Sequence, residues 1–266
     1  MMSAGFLLGT EYNGVMGTSM AERSVRGPAA DAAPFVHEKM LALLDGEKRG
    51  LLLDAPAGRG AFALQAKRMG YDVTCGDIEC ARFEAEGLQC EPVDLNRTWP
   101  YGDARFDVVA CIEAIEHLEN PWLLVREANR VLKPGGVFLV TTPNVLSIKS
   151  RKSYLLNGYP NYFFFGVVPG PGFDEEMPID HINPVGFLEL RHILARSGFH
   201  IEAIDTNRYV HRNRLLTKIL KFFIRRRWRR RTRNNPAEIE LRTLMLSPAI
   251  LYGEILLVKA RKAAVM

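Results

Sequence analysis

The run at residues 51–60, LLLDAPAGRG, constrains this chain more than any other segment. Three leucines end on Asp54, a turn bearing Gly58 and Gly60 follows, and an apolar helical pattern resumes at Ala61. A strand buried on both faces of a parallel sheet reads as such an uninterrupted apolar run, whereas a half-exposed strand alternates. Glycine at 58 and 60 lets the backbone turn tightly and approach a ligand with no Cβ in the way. The run is therefore expected to form a strand, a ligand-cradling turn and a helix of an α/β fold. Pro56 stands where a dinucleotide fingerprint would carry glycine, so the G-x-G-x-x-G spacing suited to a pyrophosphate is absent. A nucleoside-bearing cofactor without phosphates fits this turn better.

The same grammar repeats down the chain. Helices are expected at 35–44, 61–69, 78–86, 121–132 and 185–197, and strands at 51–53, 71–75, 88–93, 106–112 and 137–142. The ligand-facing ends of these strands fall at residues 54, 77, 94, 112 and 142. Two further strands are expected at 201–205 and near 254–260. With 266 residues, 47% of them hydrophobic, the chain can bury the full core of one large domain. Cys75, Cys80, Cys90 and Cys111 match no zinc spacing and are expected as free thiols of a reducing compartment. Residues 1–34, rich in small side chains, read as a loose arm or partial cover without the basic and apolar regions of a signal peptide. No stretch reaches the ~18 apolar residues of a membrane span, so the expected location is cytoplasmic.

Taken in order, the glycine turn at 54–60, the acidic strand ends Asp77 and Asp94, the sequence Glu116-His117-Leu118 after the fourth strand and the LKPGG turn at 132–136 carry a resemblance. Together they resemble a class I S-adenosylmethionine-dependent methyltransferase of the small-molecule type, the large group that includes ubiquinone-biosynthesis O-methyltransferases. The resemblance covers residues 35–205 and the last strand. It implies a Rossmann-like mixed seven-stranded sheet flanked by helices, spanning 35–266, with an acceptor-side cover at 143–184 and a basic amphipathic insertion at 206–253.

The resemblance also implies S-adenosylmethionine as cofactor and assigns residues to it. Ala55, Gly58 and Gly60 belong to the turn, and Asp54 organises that turn and the cofactor's ammonium. Asp77 is suited to accept both ribose hydroxyls; an N-cap for the following helix is its structural alternative. Asp94 with Leu95 suits the adenine edge and face, with an Asx turn as the alternative, and Ile112 ends the fourth strand beside them. His117 is the candidate general base, since an imidazole with a reference pKa of ~6.5 titrates near working pH; it could equally cap or pack the loop after Ile112. Glu113 and Glu116 either orient it, line the pocket or are first-turn acids. His181 faces the acceptor or caps the next helix. No metal ligand is assigned. The aromatic stretch holding Tyr154, Tyr159, Tyr162, Phe163, Phe164 and Phe165, followed by VVPGPGF, reads either as a bent acceptor cover or as core.

Charge is concentrated in one place. Residues 208–233 hold twelve Arg or Lys and no Asp or Glu, leaving 23 basic against 30 acidic residues elsewhere. Leu215, Leu216, Ile219, Leu220 and Phe223 fall on one helical stripe, with Lys218, Lys221 and Arg225 away from it, and Trp228 sits amid the arginines that follow. Peripheral contact with an anionic membrane surface, at its inner face, is the leading reading, ahead of packing with a solvated rim; nucleic-acid contact is weaker because the densest charge carries one aromatic residue. The expected function is methyl transfer to oxygen of a hydrophobic, lipid-linked or saccharide small molecule. An RNA methyltransferase and a non-catalytic membrane-binding protein with the same fold are the alternatives. The oligomeric state is left open.

Overall fold

The computed structural model describes residues 27–163, 181–210, 215–231 and 236–264. Strands β1 (Leu51–Asp54), β2 (Asp72–Asp77), β3 (Cys90–Pro92), β4 (Phe106–Cys111), β5 (Leu132–Pro143), β6 (Phe199–Thr206) and β7 (Ile255–Lys262) form one sheet. Its order is β3-β2-β1-β4-β5-β7-β6, with β1 to β5 parallel and β7 antiparallel to both of its neighbours. From β1 the chain builds outward to β2 and β3 on one side, then returns to place β4 and β5 on the other. The strand order thus reverses between β1 and β4, and a ligand crevice opens at such a switch point beyond the carboxyl ends of the strands.

Successive residues of the central strands point to opposite faces, and both faces are covered. Leu53, Val109, Phe138 and Leu256 enter one core with helices α3 (Pro121–Val131) and α5 (Phe187–Arg196). Leu52, Val108, Leu139 and Leu257 enter the other with α1 (Val36–Ala42) and α2 (Ala61–Arg68). This two-sided burial explains why the strands read as continuous apolar runs. At α3, Asn120 accepts the Leu123 N–H and Pro121 occupies the first turn, where its missing N–H costs nothing. Helix α4 (Ile148–Asn157) opens the segment after β5, and α6 (Leu215–Arg231), α7 (Pro236–Met245) and α8 (Pro248–Tyr252) lie between β6 and β7.

Three expectations need correction. The helix expected at 78–86 is replaced by a single 3-10 turn, Cys80–Arg82, after which Phe83 is extended. Phe83 and Ala85 tuck against Gly60, and residues two apart reach one surface only on an extended chain. Cys80 and Cys90 are joined in a disulfide with Cα atoms 5.5 Å apart, because the turn after β2 carries Cys80 over the adjacent β3; Cys75 and Cys111 are buried and free. The stripe expected at 214–225 does not act as one face. Leu220 and Ile224 pack on Ile148, Leu251 and Tyr252, whereas Leu215, Ile219 and Phe223 are exposed. Lys221, expected in solvent, lies over the Tyr252 ring at 5.5 Å.

Of the covers read from the sequence, residues 1–26 of the arm and 164–180 of the aromatic segment, including Phe164, Phe165 and VVPGPGF, lie outside the described residues.

Candidate active site

The crevice at the switch point is a cavity of about 330 Å³. Its floor is the end of β1. Asp54 is 1% exposed, both its carboxylate oxygens lack a hydrogen-bond partner among the described residues, and its side chain lines the cavity. Burial pushes its pKa well above the usual carboxylate range, neighbouring Asp77 pushes the same way, and the nearby Ala63 amide, short of hydrogen-bond geometry, opposes this only in part. A buried carboxyl aimed into a cavity without a partner is the complement of a ligand cation.

Beside it, Asp77 at the end of β2 holds the glycine turn. Its Oδ2 accepts the Gly58 N–H and its Oδ1 accepts the Glu79 N–H, each at 2.8 Å. An ionised carboxylate offers about four acceptor sites, so Asp77 keeps capacity for hydroxyl donors from the cavity. At the third wall, Asp94 forms an Asx-type turn with the Asn96 N–H at 2.9 Å and pairs with Arg97 at 3.0 Å. Asp94, Leu95, Ile112 and Gly58 all line the cavity. Ala55 and Gly60 do not. Ala55 is fully buried, bonded through its N–H to the Ala110 carbonyl at 3.0 Å, and Gly60 packs on Phe83 and Ala85 from behind the turn. Both support the turn from outside the cavity.

The opposite wall comes from the segment after β4. Glu113 adopts a left-handed φ of 48°, rare for a residue with a Cβ and typical of strained functional turns. Its N–H donates to Thr141 Oγ1 at 2.7 Å, and its Oε2 accepts the Ala33 N–H at 2.8 Å. That second bond ties the described end of the N-terminal arm across the cavity, where Asp31 lines the wall and pairs with Arg59 at 3.2 Å. Burial raises the Glu113 pKa, eased by the Ala33 amide.

His117 lines the cavity from the 3-10 turn Ile115–His117. His181 lies outside the lining, but its ring centroid is 4.6 Å from that of His117. The backbone brings them together: the Ile182 and Asn183 N–H groups both donate to the Glu116 carbonyl at 2.9 Å, and the Asn183 side chain donates to the Leu118 carbonyl. His181 Nδ1 is 2.8 Å from the Tyr162 carbonyl. Glu116 is 1% exposed, its Oε2 has no hydrogen-bond partner among the described residues, and burial pushes its pKa up to about 8. Ligand atoms of Glu116, His117 and His181 lie within 4.8 Å of one another, a grouping able to hold a metal ion. The histidines were candidates from sequence; the metal-binding arrangement of the three was not foreseen.

Two further wall residues were missed altogether. His37 on α1 lines the cavity beside Phe62, its pKa lowered by burial and its Nδ1 buried without a hydrogen-bond partner among the described residues. Its signal was a lone histidine in an apolar helix, which ordinary core packing also produces. Arg59, sandwiched between Asp31 and Glu84, was hidden within the glycine turn.

Comparison with known proteins agrees with this geometry. Residues 29–204 match a family model described as a methyltransferase domain. A ubiquinone biosynthesis O-methyltransferase of Psychrobacter arcticus is 32% identical over 131 residues, 45% of this chain and 48% of that protein. The matched stretches span about half the length of such relatives. Among solved structures, a SAM-dependent methyltransferase from Archaeoglobus fulgidus aligns over 91% of this chain and 98% of that one, with TM-score 0.52 and 19% identity. The cyclase SpnF aligns over 91% and 90%, with TM-score 0.53 and 17% identity. The two structural likenesses speak for the fold alone, since one fold hosts different reactions. The family match, the order of the strands and the cavity at their switch point converge: this chain belongs to the methyltransferase-domain family, among the class I S-adenosylmethionine-dependent methyltransferases.

Proposed function

We propose that the chain transfers a methyl group from S-adenosylmethionine to an oxygen of a hydrophobic, lipid-linked or saccharide small molecule. One observation carries the reading: a cavity with an unpartnered buried carboxyl at one wall meets a histidine cluster at another. When bound, the cofactor supplies an electrophilic methyl on its sulfonium. Asp54 would pair with its ammonium, Asp77 would accept the ribose hydroxyls at its unused sites, and Asp94 with Leu95 and Ile112 would hold the adenine. Ala55 and Gly60 keep the turn in place, and Gly58 presents backbone to the ligand.

What the acceptor needs from the protein is alignment and loss of its hydroxyl proton. His117 would take that proton, with the His181 ring 4.6 Å from its own and Glu116 close by. The grouping of Glu116, His117 and His181 supports a second reading of the same wall, in which a divalent cation is held by the three and lowers the acceptor hydroxyl's pKa. A chelator separates the two. Activity that survives chelation supports the base, and activity lost to chelation and restored by zinc or manganese supports the cation.

No helix among the described residues is long and apolar enough to cross a membrane. A cytoplasmic protein that meets its acceptor at the inner membrane face fits this and the concentrated basic charge. Titration calorimetry with S-adenosylmethionine, its demethylated product and NAD tests the cofactor assignment: the first two should bind and NAD should not. Absence of binding by both would overturn the function proposed here.

A further inference from the structure

Helix α6 has two faces of different character. Thr217, Leu220, Ile224 and Trp228, spaced three or four residues apart, turn toward the protein: Thr217 is buried, Leu220 and Ile224 pack on the cluster of Ile148, Leu251 and Tyr252, and Trp228 packs on the main core. The opposite face is unlike an ordinary solvated one. Leu215 is 74% exposed, Ile219 45%, and Phe222 and Phe223 60% each, the two rings in edge contact at 5.7 Å. Lys218, Arg225, Arg226 and Arg229 are exposed beside and beyond them, and none forms an ion pair among the described residues. Helix α4, which starts in the same small cluster, ends in exposed Tyr154, Leu155 and Leu156.

We propose that this outward face of α6 docks on an anionic lipid surface. Leu215, Ile219, Phe222 and Phe223 enter the boundary between headgroups and acyl chains, and Lys218, Arg225, Arg226 and Arg229 pair with lipid phosphates. Large apolar side chains that gain nothing from water, set among cations with no ion-pair partner among the described residues, match the two layers of such an interface in kind and order. A nucleic acid would use the arginines but leave Leu215 and Ile219 without an apolar partner. The inference deepens the lipid-linked reading of the acceptor and rests on it for its purpose. The binding itself needs no methyl transfer.

The test is cosedimentation of the full chain with vesicles of phosphatidylcholine alone or mixed with phosphatidylglycerol, at low and high salt, without acceptor. Binding is expected to the mixed vesicles and to weaken with salt. The double variant Phe222→Ser, Phe223→Ser should bind at least about tenfold more weakly with every charge retained. The triple variant Arg225→Glu, Arg226→Glu, Arg229→Glu should lose binding, and calorimetry should give both variants the wild-type cofactor affinity. Equal binding to both vesicle types, or undiminished binding by the phenylalanine variant, would overturn the proposal. So would tight binding of a short RNA at matched salt that only the arginine variant loses, or a dimer that the phenylalanine variant dissolves while vesicles bind nothing. A chain that docks on vesicles yet ignores S-adenosylmethionine would sink the catalytic reading and leave this one standing; the reverse result would do the opposite.

Discussion

Gly60 gives the sharpest test of how tightly the glycine turn is backed. Its φ of +86° lies in the left-handed region, which costs a residue with a Cβ roughly 1–2 kcal/mol. A Cβ there would stand 2.5 Å from the Ala85 methyl and 2.6 Å from Phe83 Cε2. Ala85 is 4% exposed, so its methyl can retreat only if its backbone moves, and such overpacking costs about 1–3 kcal/mol. Gly60→Ala is thus expected to lose about 2–5 kcal/mol, the two contributions together. Gly46 provides the control, because its φ is +82° but nothing lies within 4 Å of a built Cβ; Gly46→Ala should lose only the roughly 1–2 kcal/mol of backbone strain. Urea melts of both variants and the wild type, compared at a common slope, read the difference directly. If the two variants unfold at the same midpoint, the packing of Phe83 and Ala85 against the turn is not as described here.

Four other outcomes are expected. Asp54→Asn should weaken S-adenosylmethionine binding and flatten its pH dependence: burial raises the pKa of this carboxyl in the empty cavity and a paired ammonium would lower it, so wild-type affinity should rise with pH through the raised pKa with release of protons, which calorimetry in buffers of differing ionisation enthalpy detects. Asp77→Ala should cost roughly 1–3 kcal/mol of cofactor affinity, and a similar loss of stability should accompany it because the Gly58 and Glu79 amides lose their acceptor; unchanged values for both would refute its role. His117→Ala should lower turnover by ~10²-fold with little change in cofactor affinity, and full turnover across acidic and neutral pH would eliminate it as an essential base. Glu127, 7% exposed, resists ionisation through burial, but its bonds from Arg130 and the Trp99 N–H more than offset this and hold its pKa below the ordinary value. The stability it contributes is therefore present above the unfolded pKa and lost as pH falls through the folded one. Glu127→Gln should cost about 2–3 kcal/mol at neutral pH and converge with wild type in acid, which melts across pH will read.

The parts legible in the sequence are those whose physics is local. The leucine run at β1, the repeated strand-to-helix spacing and the acidic strand ends follow from burial and turn chemistry that neighbouring residues decide. The misses share a different cause. Phe83 and Ala85 abandon a helix because Gly60, more than twenty residues earlier, offers them a surface. Cys80 meets Cys90 only because β3 pairs with β2. The stripe on α6 was read as one face because periodicity counts apolar residues without knowing which of them a neighbouring helix will cover. His37 and the arm residues around Asp31 reach the cavity through long-range packing that leaves no periodic trace.

The placement of the unpaired buried carboxyl oxygens among the described residues favours the crevice as the working site independently of any likeness. Asp54 buries both carboxylate oxygens, and Glu116 its Oε2, without a hydrogen-bond partner among the described residues, and Glu113, between them in the sequence, holds a left-handed backbone. Each such feature costs the folded state a kcal/mol or more. Away from the crevice the buried carboxylates are paired. Glu127 is met by Arg130 and the Trp99 amide, and Glu254 by Arg208, Lys149 and Tyr162. A fold that meets Asp77 and Glu113 with backbone amides but leaves Asp54 and the Glu116 Oε2 unpaired holds those two groups ready for charges that arrive with the ligands. In the function proposed above, the ammonium of the cofactor meets Asp54, and a proton or a cation at the histidine cluster meets Glu116. Neutralising both carboxyls, as Asp54→Asn with Glu116→Gln, should therefore raise the melting temperature of the empty protein while depressing turnover. A double variant less stable than the wild type would mean that these carboxyls support the fold, and the argument from unpaired acids would fail.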